Sequence, residues 1–428
     1  MMKRPGLAAQ GVIGLVSGLL CGAAIAGSHS SAVTAIGNGV ELGGKMWINA
    51  ILMTIVPLVF AKIFVAVAGG EDSRGVGRKG FHAVAIFALL LVVTAVAAAL
   101  LMPAIFDRMP VDGRTSAALR AGTRPIETEP AAPTEWVLAI VPANAIRAAA
   151  DGAMVPLLVF AIAFAFAATR IADGQRKALL QLFQGVDAAI SELLRWIVRL
   201  SPYGIFALAV GLAMHVGAGV VSALGYYVVI SSCVVVIFTL LLYPAVALMT
   251  PISTRRFAAA AMPPQIVAFS THSSAASLPA MIESAERLGL PRSSTGFVLP
   301  LSLAIFKFSG PVWFVTVACF VARLYGVPIA PSRMIPMIIV SVVTSFAIGG
   351  VPSGAAVLIA PVLQAAGLPV EAMALLLAVD PLPNAFRTVS NVTGMLAVTA
   401  LCGKREQERR DVESTERPPM LEPNTISD

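Results

Sequence analysis

Phe269-Ser270-Thr271-His272-Ser273-Ser274-Ala275-Ala276-Ser277-Leu278-Pro279 interrupts one apolar segment near its middle, and Ala347-Ile348-Gly349-Gly350-Val351-Pro352-Ser353-Gly354 interrupts a second. Both segments are apolar enough to enter a bilayer, yet each arm is too short to cross one alone. Lipid offers no partner to free N–H and C=O groups, so non-helical backbone at membrane depth has to be buried in protein or line a watery cavity. Two such breaks in corresponding places, each followed by a full span, mark an inverted repeat with a site at the midplane. The unit 257–325 and the unit 334–402 fit that pattern, with hairpins over 257–290 and 334–367 and spans over 295–325 and 369–402.

Plain spans precede them, over 7–27, 46–70, 82–106, 136–168, 190–216 and 220–250. Of 428 residues, 57% are hydrophobic and 12% charged, and mean hydropathy is +0.85. An ordinary soluble domain, with about 25% of its residues charged, is excluded. The fold class read here is an all-α polytopic membrane protein with eight transmembrane spans and two re-entrant helical hairpins. The segment 7–27 follows Lys3 and Arg4, but it is long for a signal peptide and ends without a small-residue cleavage site, so it is read as a retained span.

The net charge of +7 does not point to nucleic acid, because the basic residues cluster in short loops beside the spans. Lys3/Arg4, Arg74/Arg78/Lys79, Arg170/Arg176/Lys177, Arg255/Arg256 and Lys404/Arg405 fall at every second connection, which places both termini in the cytoplasm. Residues 107–135, polar and rich in Pro, Thr and Ala, suit an external loop without chemistry. Residues 403–428, dense in Arg and Glu and holding Pro418, Pro419 and Pro423, suit a disordered cytoplasmic tail. Cys21, Cys233, Cys319 and Cys402 show no paired spacing, so no disulfide framework or metal site is expected. No nucleophile with a base, metal-ligand cluster or phosphate loop is present, so an enzyme and a cofactor are not expected.

Ionisable groups at bilayer depth each need a reason. In the last span Asp380, Asn384, Arg387, Asn391 and Met395 follow at spacings of four, three, four and four, which puts them on one helix face with Thr388 at its border. Arg387 has two readings: a structural pair with Asp380, or a planar donor fork for a carboxylate, and its company of Asn384, Thr388 and Asn391 weighs for the second. Lys307 stands mid-span, too deep to snorkel, and requires an anionic partner or a cavity. Ser309-Gly310-Pro311 after it predicts a break in the helix. Lys62 is read as snorkelling, and His82 and His215 as interface residues. His272, in the first hairpin tip beside Ser273 and Ser274, is read as an orienting group able to carry a proton.

These residues resemble the dicarboxylate/amino acid:cation symporters, a family that includes glutamate, aspartate and C4-dicarboxylate carriers. Met53-Thr54-Ile55-Val56-Pro57 looks like its second-span motif, Ile140-Val141-Pro142-Ala143-Asn144 the start of its fourth, and Pro202-Tyr203-Gly204-Ile205-Phe206 its fifth. His272-Ser273-Ser274 through Pro279 is similar to the serine-rich first tip, Gly350-Val351-Pro352-Ser353-Gly354 to the second, and Arg387-Thr388 with Asn391-Val392-Thr393-Gly394 to the substrate-binding eighth helix. The resemblance implies a glutamate-transporter-homologue fold and a homotrimer in a bacterial inner membrane. It also implies a scaffold drawn largely from residues 1–256, a mobile transport domain with its core in 257–402, and elevator-type movement of a small carboxylate. It makes Arg387, Thr388, Asn391, Asn384, Ser273, Ser274, Gly350, Val351 and Pro352 the substrate-binding residues, and Lys307, Asp380 and His272 the charge-carrying ones.

The chain departs from the family where the cations sit. In place of the seventh-span Asn-Met-Asp-Gly-Thr motif it reads Phe306-Lys307-Phe308-Ser309-Gly310, an eighth-helix Asp is Met395, and a hydroxyl residue of the second hairpin is Ile348. Phe, Met and Ile offer no side-chain oxygen, which counts against sodium coupling of the usual kind. The Lys307 ammonium then stands where a bound cation would sit, and a buried lysine is also able to exchange its proton, which admits proton coupling. Asn384 replaces the Asp that meets a substrate ammonium in acidic amino acid carriers, which favours a C4-dicarboxylate. Pro381 and Pro383 interrupt a helix that the family keeps continuous. The alternative reading is a transport-inactive relative acting as a sensor or structural membrane protein.

Overall fold

The computed structural model describes residues 7–28, 30–69, 74–121, 141–151, 153–215, 219–348 and 358–415, and they are helical with no strand among them. In chain order the helices are α1 (Leu7–Ala26), α2 (Ser31–Ala68), α3 (Arg74–Phe106), α4 (Gly113–Ala121), α5 (Ala145–Ala150), α6 (Met154–Ala168), α7 (Asp173–Arg199), α8 (Ser201–His215) and α9 (Gly219–Met249). They continue with α10 (Thr254–Thr271), α11 (Leu278–Arg287), α12 (Arg292–Ile305), α13 (Ser309–Tyr325), α14 (Pro331–Ala347), α15 (Ile359–Ala365), α16 (Met373–Val379) and α17 (Pro381–Thr415).

Among the described residues, four stretches are long and apolar enough to cross a membrane: Ser31–Val65, His82–Phe106, Ser222–Met249 and Ser294–Tyr325. The apolar run read as one span over 190–216 is two helices bent by 55°. Pro202 explains the bend: it has no N–H for the helix ladder and its ring meets the carbonyl one turn back. The chain restarts with Tyr203 and Gly204 both donating to the Leu200 carbonyl at 3.1 Å. Residues 136–140 of the expected fourth span lie outside the described residues, and the remainder is α5 and α6.

Two sets of helices pack mainly among themselves. In one, α1 lies along α8, and α2 packs on α6, α7 and α8. Gly14, Gly18 and Gly22 recur at four-residue spacing on α1, and a Cβ on them would strike the carbonyls of Pro202, Phe206 and Val210, so their smallness lets two backbones touch. Lys62 does not snorkel: its Nζ meets Asp187 of α7 at 2.9 Å, because α7 brings a carboxylate over that face of α2.

In the other set, α9 and α10 pack on α17, α12 packs on α17, and α3 packs on α13 and α14. The third span thus joins the C-terminal helices, although it precedes them by two hundred residues of chain. The first part of the expected external loop is held as well: Ser116 donates to the Leu324 carbonyl at 2.8 Å, and Arg323 donates to the Met109 carbonyl at 3.0 Å. At the other end α17 continues through Gly403 to Thr415, past the boundary at 402.

Candidate functional site

The helix expected over the seventh span is broken at Phe306-Lys307-Phe308, between α12 and α13. Pro311 is the cause, since its ring would collide with the Lys307 carbonyl in a continuous helix. In the first turn of α13 the same proline is harmless, because N–H groups there have no helical acceptor in any case. The amide of Ser309 at that start is capped from another helix: Asn391 Oδ1 of α17 accepts the Ser309 N–H at 3.0 Å and the Ser309 hydroxyl at 3.0 Å. The hydroxyl also lies 3.3 Å from the Arg387 carbonyl. The break is therefore seated against the turn of α17 that carries Arg387.

Pro381 and Pro383 fall in the first turn of α17, where proline is tolerated. Asp380 at the junction keeps helical dihedrals, and the Asn384 N–H bonds its carbonyl at 2.9 Å, so the face read from the sequence survives the two prolines. On that face Arg387 Nη2 donates to Asp380 Oδ1 at 2.7 Å, to Oδ2 at 2.9 Å and to Asn384 Oδ1 at 3.1 Å. Arg387 is 2% exposed and Asp380 4%.

The pairing of Arg387 with Asp380 is thus real, yet it occupies one nitrogen of three. Nε and Nη1 are buried and, among the described residues, without an acceptor. The flat face of the guanidinium is held too: its Cζ lies 3.8 Å from the Trp313 ring centroid, a cation–π contact that gains strength out of water. The Trp313 indole N–H donates to the Tyr227 hydroxyl of α9 at 2.8 Å. Trp313 and Tyr227 were not singled out from the sequence, where an aromatic in an apolar run reads as packing.

Thr388 is buried and gives its hydroxyl to the Asn384 carbonyl at 2.8 Å. The first tip is a turn between α10 and α11. His272 closes α10 in the left-handed region at φ 54°, and is exposed. Ser273 is half-buried and accepts the Ala276 N–H at 3.3 Å, while Ser274 is half-buried with its carbonyl accepting from Ser277. Phe269, at the end of α10, meets Phe386 edge to face with centroids 5.6 Å apart. This contact sets the tip beside the start of α17, with no bond to Arg387 itself. A second connection missed in the sequence is Gln265 of α10, whose Nε2 donates to Tyr243 of α9 and Thr393 of α17, both at 2.7 Å. The second tip, Gly350, Val351 and Pro352, lies outside the described residues; Ile348, just before it, touches the position of Gly310.

Lys307 is 7% exposed, and its Nζ donates to the Leu303 carbonyl at 3.0 Å. It has no carboxylate partner among the described residues, contrary to one of the two arrangements expected for so deep a lysine. The last carbonyls of α12 take its charge instead, as the negative end of a helix favours a cation. The side chains around it are apolar and closely packed. Phe306 stacks on Phe87 with centroids 4.6 Å apart, Phe308 packs on Gly394, where a Cβ would come within 2.6 Å of it, and Met395 is fully buried. No cluster of three or more His, Cys, Asp or Glu side chains able to hold a metal ion occurs among the described residues.

Comparison with known proteins gives the same direction over nearly the whole chain. Residues 7–405 match the sodium:dicarboxylate symporter family. A proton/sodium-glutamate symport protein of Bacillus subtilis (strain 168) is 27% identical over 406 residues, 94% of this chain and 93% of that protein. A proton/sodium-glutamate symport protein of Geobacillus stearothermophilus is 27% identical over 409 residues, 95% of this chain and 96% of that protein. The proton/glutamate-aspartate symporter of Escherichia coli (strain K12) is 26% identical over 408 residues, 94% and 93% of the two chains. With apolar membrane-crossing helices and a family match of that extent, this multi-pass membrane protein belongs to the sodium:dicarboxylate symporter family, a family of symporters and not of enzymes.

Proposed function

We propose that this protein is a secondary transporter that carries a small carboxylate, a C4-dicarboxylate or an acidic amino acid, across a bacterial inner membrane. The observation that carries this reading is the Arg387 guanidinium, buried with Nε and Nη1 lacking acceptors among the described residues. Leaving charged donors unmet inside a protein costs several kcal/mol, of order 1–3 kcal/mol or more per group, and a carboxylate is the ligand whose geometry meets them. Thr388, Asn391, Asn384, Ser273, Ser274 and the tip Gly350-Val351-Pro352 complete the binding set. The names of the relatives point to glutamate and aspartate. Asp380 and the Asn384 oxygen, however, are committed to Arg387, so neither is free to take a substrate ammonium, which supports the C4-dicarboxylate.

The site works without the usual sodium ligands, and the Lys307 ammonium, lodged on the α12 carbonyls, takes the place of a bound cation. The carrier is a homotrimer with both termini in the cytoplasm, and it moves by an elevator: the set α3, α4 and α9 to α17 travels against the set α1, α2 and α6 to α8. The separate packing of the two sets supports that division. Counterflow of labelled succinate and labelled aspartate into proteoliposomes tests the reading. Parent protein is expected to exchange at least one of them, and Arg387→Lys to weaken it by about 10- to 100-fold, the worth of one charged bidentate contact. Absence of exchange in the parent with either anion would favour a transport-inactive homologue.

A further inference from the structure

A proton on Lys307 brings a charge that no carboxylate among the described residues balances. The Nζ donates to the Leu303 carbonyl at 3.0 Å, and Asp380 is paired with Arg387. The elements packed on the break are α3, α14 and α17. Their titratable and charged groups with described side chains are His82 on α3, Arg333 on α14, and Arg387 and Lys404 on α17; Asp380 precedes α17. On its own span stand Arg292, Cys319, Arg323 and Tyr325. None of these bonds Lys307, and Asp380, the carboxylate in this group, is spent on Arg387. The Arg387–Asp380 pair sums to zero, so, among the described residues, a proton held on Lys307 without an anion would leave one uncompensated positive charge at bilayer depth.

A lone charge there is costly, and an anion beside it offsets the cost. The anion's own place is close, because Ser309, two residues after Lys307, bonds Asn391 and reaches the Arg387 carbonyl. Phe306, Phe308, Phe87 and Met395 offer no side-chain oxygen for a metal cation on that flank. We infer that Lys307 Nζ is a proton-binding site whose occupancy is linked to that of the carboxylate, so that one proton and one anion enter and leave the site together. The linkage is reciprocal: the bound anion favours the proton as much as the proton favours the anion. The proton comes from the solution that the site faces and returns to the solution on the other side. This inference rests on the carboxylate-carrier reading.

The test is calorimetric binding of succinate to the purified full-length protein, in pairs of buffers with different ionisation enthalpies, from neutral to alkaline pH. The buffer dependence of the heat gives the protons taken up per anion. In the parent, uptake is expected to rise toward one proton per anion at the alkaline end. Lys307→Arg, with a permanent charge, is expected to bind succinate without uptake, and Lys307→Met to bind it about tenfold or more weakly, also without uptake. Binding in the parent with no uptake at any pH, or uptake that persists in Lys307→Arg, overturns the inference and leaves the carrier reading standing. Failure of both succinate and aspartate to bind the parent overturns the two together.

Discussion

Arg387 shows how one side chain serves two ends. Asp380 and Asn384 hold Nη2, Trp313 holds the flat face, and Nε and Nη1 have no acceptor among the described residues, which is where the proposed carboxylate would bind. Removing one partner of a buried ion pair strands the other, at about 3–5 kcal/mol. Asp380→Asn is accordingly expected to lower stability on that scale, seen as earlier thermal unfolding in detergent, with part of the loss recovered by saturating substrate. Unchanged melting in that variant would show the pair to be dispensable. At this scale the sequence placed Arg387, Asp380 and Asn384 on one helix face, and the structure joins the three by hydrogen bonds. The sequence was mute on Trp313, Tyr227 and Gln265, because an aromatic or amide reveals its hydrogen bond only when its neighbours on other helices are known. Lys62 was misread for a related reason: its partner Asp187 lies far along the chain on α7, outside any local pattern.

Among the elements, breaks rather than helices build the site. Pro311 ends the run of α12, and the start of α13 is then capped across helices by Asn391. Loss of such a cap costs about 1 kcal/mol, so Asn391→Ala should destabilise modestly and weaken substrate binding by more than that figure, because Ser309 and Lys307 lose their seat. Equal losses in stability and in affinity would reduce Asn391 to a simple cap. The first hairpin break could be read from serines and alanines between two apolar arms, and the seventh-span break from Ser309-Gly310-Pro311. The bend at Leu200 was missed, although Glu192, Arg195 and Arg199 mark the stretch before Ser201-Pro202 as amphipathic rather than as the start of a plain span, and the packing of α8 on α1 and α2 fixes its new direction. Nor did hydropathy reveal the tight seam of Gly14, Gly18 and Gly22, because glycine counts as neither polar nor strongly apolar while its missing side chain is what brings the helices together.

For the whole molecule, the separation into two sets of helices is what an elevator requires, and a cross-link distinguishes contacts that persist from contacts that slide. A bridge between α1 and α8, which belong to one set, is expected to leave transport intact. A bridge between α16 and α8, which touch across the sets, is expected to stop it; transport that survives this second bridge would argue for a site that opens without sliding. That the chain holds several long apolar helices was clear from hydropathy, but membership of a set was not, because α3 packs on α13, which lies far along the chain. The most direct measurement of the central claim is uptake of labelled succinate and aspartate into proteoliposomes with a sodium gradient, a proton gradient or neither, for the parent, Lys307→Ala and Arg387→Ala. Uptake in the parent that ignores sodium and fails in both variants is the expected result, whereas steep sodium dependence that persists without Lys307 would contradict a carboxylate carrier with a built-in positive charge.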